Sequence, residues 1–223
     1  FDSYLYEDED GEYYNVQYVA GESKPYEALA AVTDYGFTNA SLDEDGVVRE
    51  AYTKYVSNYE GETEVYYGFS YLIASKVGEV KNYPTKVEVA FTGRPGEFER
   101  VSMSSVLDGD VDPENFKDSI VLVGAYATGL QDQFTVPNSN NQMFGVEINA
   151  NLIQSFLDEQ FPFPANRLGV SVIFALIAMA MFVCFSKLHL KWGTVIFVLT
   201  EIATVVSGIL LFTKAGISIP GFY

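Results

Sequence analysis

Hydrophobic and polar positions alternate along the first part of this chain, cluster at helical spacing in places, and then run unbroken near its end. Residues 13–19 alternate aromatic and polar side chains, as a half-buried strand does. Residues 25–34 carry Pro25 in the first turn and have Gly36 beyond the end, the start and stop signs of a helix. Residues 47–56 read as a further strand, residues 64–77 as a mostly helical segment closed by Gly78, and residues 86–91 alternate again. Arg94-Pro95-Gly96 predicts a turn, and Asp112-Pro113-Glu114 has the cap-then-proline order of a short helix ending near Lys117. Residues 119–125 are a continuous β-branched run, predicted as a strand covered on both faces. Residues 145–159 then give a helix with Val146, Ile148, Leu152, Ile153 and Phe156 on or near one face. Together these elements predict an α/β fold, a layered mixed sheet with helices on both faces.

Past residue 166 alternation gives way to continuous apolar sequence. Residues 168–186 hold 19 positions without a charge. At about 1.5 Å per residue they reach roughly 28 Å, enough to cross a hydrocarbon core. A second run, residues 192–213, follows after the loop 187–191. That loop carries Lys187 and Lys191, and the positive-inside rule turns it to the cytoplasm. One crossing separates it from residues 1–160, which are therefore expected outside, on a multi-pass cell-membrane protein. Residues 161–167, containing Phe161-Pro162-Phe163-Pro164, are a stiff linker. Residues 214–223 are expected to form an outer loop and the start of a third helix.

Glu201 lies near the middle of the second run, where an ionised carboxylate costs at least ~2.5 kcal/mol. It is expected to be neutral, paired or turned toward other helices, and is a candidate for signalling within the membrane. His189, in the loop, reads as an interfacial residue rather than a ligand.

Charge divides the chain at the same place. Residues 1–166 hold 9 Lys and Arg against 29 Asp and Glu, a net of −20, whereas residues 167–223 hold 4 against 1. So acidic a front portion repels nucleic acid and anionic headgroups, leaving the bilayer and an unidentified small-molecule or surface ligand as partners. Cys184 stands alone in an apolar run, so there is no disulfide framework. The opening shows no leader pattern, and the chain is expected to begin inside a longer protein.

Most familiar chemistry fails on inventory. A hydrolase triad needs a base beside its nucleophile, and the one histidine sits between two membrane runs. Histidine- or cysteine-rich metal sites fail likewise, and no cofactor is expected. The loop Gly124-Ala125-Tyr126-Ala127-Thr128-Gly129 lacks the lysine and hydroxyl that end a P-loop. Asp8-Glu9-Asp10-Gly11 and Asp43-Glu44-Asp45-Gly46 bring glycine at the fourth rather than the sixth position of a calcium loop, so they read as tight turns. No catalytic residue is assigned. What remains is a cluster near the strongest predicted strand: Thr128, Asp132 and Thr135 on the loop after it, and Glu147, Asn149 and Asn151 on the following helix. In open α/β sheets ligands gather beyond the carboxyl ends of strands, which makes these six the candidate ligand-binding residues; capping and loop-fixing hydrogen bonds are the other use they fit.

The order of the pieces resembles the bacterial CHASE sensory domain of the second type, the cyclase- and histidine-kinase-associated extracellular domain. The residues that carry the resemblance are Gly36-Phe37-Thr38-Asn39, the segment from Asp43 to Arg49, residues 98–107, residues 116–125, residues 132–137, and Gly145-Val146-Glu147-Ile148-Asn149-Ala150-Asn151. These six segments stand in family order and the membrane runs follow them, the resemblance covering roughly residues 36–220. The resemblance implies an extracytoplasmic sensor, three following helices, and a cytoplasmic nucleotide cyclase or kinase controlled by it, with a homodimer as the working unit. Asn149 stands where the family often has histidine, and the family's opening membrane helix and first strand–helix half are expected to precede this sequence. A surface binding or assembly module without signalling output is the alternative. An extracellular enzyme using Asp132 and Glu147 is the third class.

Overall fold

A computed structural model describes residues 2–7, 13–18, 21, 24–59, 62–187 and 190–219; the side chains of residues 1–20, 58–62, 128, 167 and 188–190 are outside the description. The chain divides into two compact units, residues 1–160 and 161–223.

The first unit opens with β1 (Asp2–Glu7) and β2 (Tyr13–Tyr18), antiparallel with Tyr4 opposite Val16. The short helix α1 (Glu27–Ala30) follows. Then come β3 (Glu50–Tyr52), β4 (Lys54–Tyr59), β5 (Glu62–Tyr67), α2 (Phe69–Val77) and β6 (Lys86–Glu88). β4 and β5 form a hairpin with Val56 opposite Val65. β3 pairs antiparallel with β6, placing the buried Ala51 opposite the buried Val87. Residues 64–77, expected to be mostly helical, are thus strand up to Tyr67 and helix from Phe69, with the break at Gly68. A Cβ at that glycine would stand 2.8 Å from the Tyr52 carbonyl, so the strand-to-helix corner needs the residue without one.

The unit continues with α3 (Met103–Leu107), a 3-10 turn at Pro113–Phe116, a second at Thr128–Leu130, then β7 (Gln133–Phe134), β8 (Met143–Phe144) and α4 (Gly145–Leu157). The turn at Pro113 is capped as its sequence predicts, the Asp112 carboxylate accepting the Glu114 amide at 3.0 Å. β7 and β8 pair antiparallel directly before α4. α2 packs on α4, and Tyr71 and Tyr83 present ring edges to Phe156 at centroid distances of 5.5 Å each. Val48, Ala74, Val89, Val136, Met143 and Ile153 complete the core around this helix pair.

The described strands form five two-stranded sheets and no single layered one. The largest departure is at residues 119–125, which form no ladder and are mostly exposed, Val123 at 74%. β-Branched sequence favours extended backbone, but a ladder also needs a hydrogen-bonding neighbour, and no described strand lies beside this run.

The second unit holds β9 (Phe163–Pro164), α5 (Arg167–Lys187), α6 (Leu190–Ala215) and β10 (Ile217–Ser218). At about 1.5 Å per residue the helices are roughly 32 and 39 Å long, each enough for a bilayer core. They touch near their connecting residues. A Cβ on Gly193 would meet Phe185 at 2.7 Å, and Thr200 Oγ1 donates to Met181 Sδ at 3.6 Å. β9 and β10 run parallel, Phe163 N donating to Gly216 O at 2.7 Å and Ala165 N to Ser218 O at 2.8 Å. Those bonds hold the start of α5 beside the end of α6. Residues 220–223, where a third helix is expected to begin, lie outside the description, as do His189 and the loop Asp8-Glu9-Asp10-Gly11.

Candidate functional site

The site is assembled around the first turn of α4. Two glycines there lie against neighbouring side chains, so that a Cβ on either would force a shift. A Cβ on Gly124 would lie 2.6 Å from Val146 Cβ, and one on Gly145 would lie 2.5 Å from an Asp132 carboxylate oxygen. The segment 122–124 and the Asp132 side chain are thereby held against the helix start, and Gly145 N donates to the Asp132 carbonyl at 3.1 Å. Beside them lies a cavity of about 380 Å³, within the usual range for small-molecule sites. α2, α4, the segments 37–41 and 50–52, and residues 122–124 surround it.

Of the six residues singled out from the sequence, Asp132 and Asn149 line this cavity. Asn149 also ties the helices together, its Nδ2 donating to Gly145 O at 2.9 Å and its Oδ1 accepting from Ser70 Oγ at 2.7 Å. Asp132 has no described ion-pair or side-chain hydrogen-bond partner.

Glu147 and Asn151 face elsewhere. Glu147 is 3% exposed; its carboxylate accepts from Gly96 N at 2.7 Å, from Phe144 N at 3.2 Å and from Tyr126 Oη at 3.4 Å. The bond to Phe144 N is half of a capping box, since phenylalanine has no side-chain acceptor to return it. Asn151 accepts from Gly93 N at 2.9 Å and donates to Glu147 O at 3.0 Å. Both side chains therefore fasten the turn Arg94-Pro95-Gly96 to α4, which suits the loop-fixing use. Burial first, and then the Glu147 charge, push the Tyr126 phenol above its ordinary range. Tyr126 is sandwiched between Phe144, with ring centroids 4.0 Å apart, and the Arg100 guanidinium at 4.4 Å.

Thr135 is exposed, and its carbonyl accepts from Val48 N at 2.9 Å. Thr128 opens a 3-10 turn, and its side chain is outside the description. Glu201 is exposed on α6. Asp43-Glu44-Asp45-Gly46 is a turn, Gly46 N donating to Asp43 O at 2.9 Å with Gly46 at φ +79°. Arg49 closes it with hydrogen bonds to both aspartates, at 2.8 Å to Asp43 and 2.9 Å to Asp45. Both carboxylates are thus matched by a cation that the protein itself supplies.

Sequence reading missed the aromatic walls of the cavity, Phe37, Tyr52, Phe69 and Tyr71, and the Glu50–Lys86 pair at its edge. Only Phe156 carried a signal, its place on the apolar face of α4. Burial, the largest single influence, pulls the Lys86 ammonium down, but its hydrogen bond to Glu50 and the charges of Glu50, Tyr52 and Asp43 together outweigh it and raise it. Among the described residues no three His, Cys, Asp or Glu side chains cluster as a metal site.

No curated protein and no solved structure matches the chain. The CHASE2 domain family model matches residues 7–185, which take in the α2–α4 core, the cavity and most of α5. The chain belongs to the CHASE2 domain family, extracellular sensory domains of signalling receptors.

Proposed function

We propose that residues 1–160 are the extracytoplasmic sensor of a transmembrane receptor and that α5 and α6 carry its state to a cytoplasmic nucleotide cyclase or kinase. Family membership supplies the sensory role. The observation that carries the rest is the surface of the second unit: Leu168, Phe182 and Leu199 are 79, 74 and 59% exposed on helices long enough to span a bilayer. Apolar surface of that extent is stable only against lipid or a partner protein. Lys187 and Lys191 beside the turn favour its cytoplasmic placement, and the β9–β10 pairing is consistent with both outer helix ends lying on the opposite side. The homodimer follows the family resemblance, with the exposed carboxyl of Glu201 as a point where helices of two copies meet.

The signalling step in this reading is a shift between two packings of the membrane helices, biased by a ligand that binds one state of the first unit better. Asp132 and Asn149 are the ligand contacts it assigns, with Thr128 and Thr135 on the adjoining loop; Glu147 and Asn151 keep the wall in place. The test is the coding sequence beyond Tyr223. A cyclase or kinase domain there supports the receptor, and a stop soon after a third helix favours a surface assembly module.

A further inference from the structure

The cavity beside α4 combines three properties that one class of ligand matches. Its walls are rich in aromatic rings, among them Phe37, Tyr52, Phe69, Tyr71 and Phe156. Its charge has one sign: Glu50 and Asp132 are the charged side chains among the lining residues, with no lysine, arginine or histidine. Glu50 is already matched by Lys86, whereas Asp132 has no described partner. Its volume, about 380 Å³, suits a small organic molecule.

An uncompensated carboxylate at the edge of an aromatic cavity leaves a cation as its complement, through a charge-assisted hydrogen bond and attraction to ring faces. An anion would meet no unpaired basic side chain, Lys86 at the edge being held by Glu50, and would approach against the net charge of −20 on residues 1–166. Calcium would need six to eight oxygens, and one free carboxylate among rings does not supply them. We propose that this cavity binds a small organic ammonium ion with an apolar body, with Asp132 as counter-ion and the aromatic walls holding the body. The proposal deepens the sensory reading and rests on it for the purpose of the site, whereas binding itself is measured independently of any signalling output.

Isothermal titration of the full 223-residue chain in neutral detergent micelles tests it, with phenethylammonium as probe. 2-Phenylethanol and phenylacetate, of similar shape, serve as neutral and anionic controls. The expected result is saturable binding of the amine, about 10–100-fold weaker binding of the alcohol, and no binding of the acid, the range expected for loss of one charged hydrogen bond. Asp132→Asn keeps shape and is expected to reduce amine binding to the level of the alcohol. Ala40→Trp, at an exposed lining position, is expected to abolish binding of both by filling the cavity. It carries the test if Asp132→Asn does not fold. Amine and alcohol binding alike, an Asp132→Asn variant that retains the amine, an Ala40→Trp variant that retains it, or no saturable amine binding would each overturn the proposal and leave the receptor reading untouched.

Discussion

Helices α4 and α6 both carry apolar residues and place them in opposite directions. In α4 the inside is mixed: Glu147, Asn151 and Ser155 are buried beside Ile148, Leu152, Ile153 and Phe156. Each of those polar groups reaches another segment, the Ser155 hydroxyl donating to Ala90 O at 3.2 Å. In α6 the outside is apolar, and the hydroxyls of Thr200, Thr204, Ser207 and Thr213 turn back on carbonyls of their own helix at 2.8–2.9 Å. Water surrounds the first helix's unit and can solvate any group left over, so polar side chains can be spent on joining elements. A hydrocarbon solvent can satisfy nothing, so hydroxyls there turn to carbonyls of their own helix or, as Thr200 does with Met181 Sδ, to a neighbouring helix.

Placing a charge on each helix breaks this comparison most sharply. Ile202→Arg in α6 is expected to cost insertion about 2.5–3.5 kcal/mol, read as the inserted fraction in a glycosylation-site reporter. The same residue type at Leu157→Arg, on the rim of α4, is expected to change thermal stability by no more than about 0.5 kcal/mol. Equal effects at both sites would mean that both helices face one solvent.

Glu147→Ala tests the polar interior. It leaves the Gly96 and Phe144 amides without acceptors and is expected to destabilise the first unit by about 2–3 kcal/mol in chemical denaturation. Gly145→Ala comes next, by about 1–2 kcal/mol, because its methyl group displaces the Asp132 carboxylate. In an Asp132→Ala background the loss should shrink, and a double-mutant cycle without coupling would show that the approach is not tight.

The smallest effect is one of pH. The Arg49 hydrogen bond holds the Asp45 carboxyl below its ordinary value of 3.8. A carboxyl depressed in the folded state contributes stability above that ordinary value and loses it as pH falls through the lower folded one. Arg49→Gln is therefore expected to remove a contribution that is flat from pH 5 to 8 and vanishes only in acid. Because the pair is exposed, the shift in melting temperature should be small and should diminish with salt.

Much of this arrangement is legible from the sequence where one local signal decides the outcome. The two membrane helices follow from uninterrupted apolar length, α4 from its 3.6-residue stripe, the turn at Asp43 from Asp-Gly chemistry, and the start at Pro113 from its capping aspartate. The boundary inside residues 64–77 was hidden because β5 and α2 share one apolar stretch, and only the crowding around Gly68 marks the corner. Residues 119–125 have strand composition without a strand partner, a property of the neighbourhood rather than of the run. At the candidate site, Asp132 and Asn149 were reachable because one lies on the loop before α4 and the other on α4 itself. Four of the aromatic walls, Phe37, Tyr52, Phe69 and Tyr71, come from segments more than 70 residues away from Asn149, and no local pattern connects them to it.

The placement of the acidic unit outside and of the loop 187–191 inside can be measured directly. In a Cys184→Ser background, single cysteines at Asn140 and at His189 can be tested with a membrane-impermeant maleimide on sealed, right-side-out vesicles. Labelling of Asn140→Cys at once, and of His189→Cys only after the vesicles are opened, is the predicted result. Immediate labelling of His189→Cys, or protection of Asn140→Cys, would contradict the placement of the acidic unit outside.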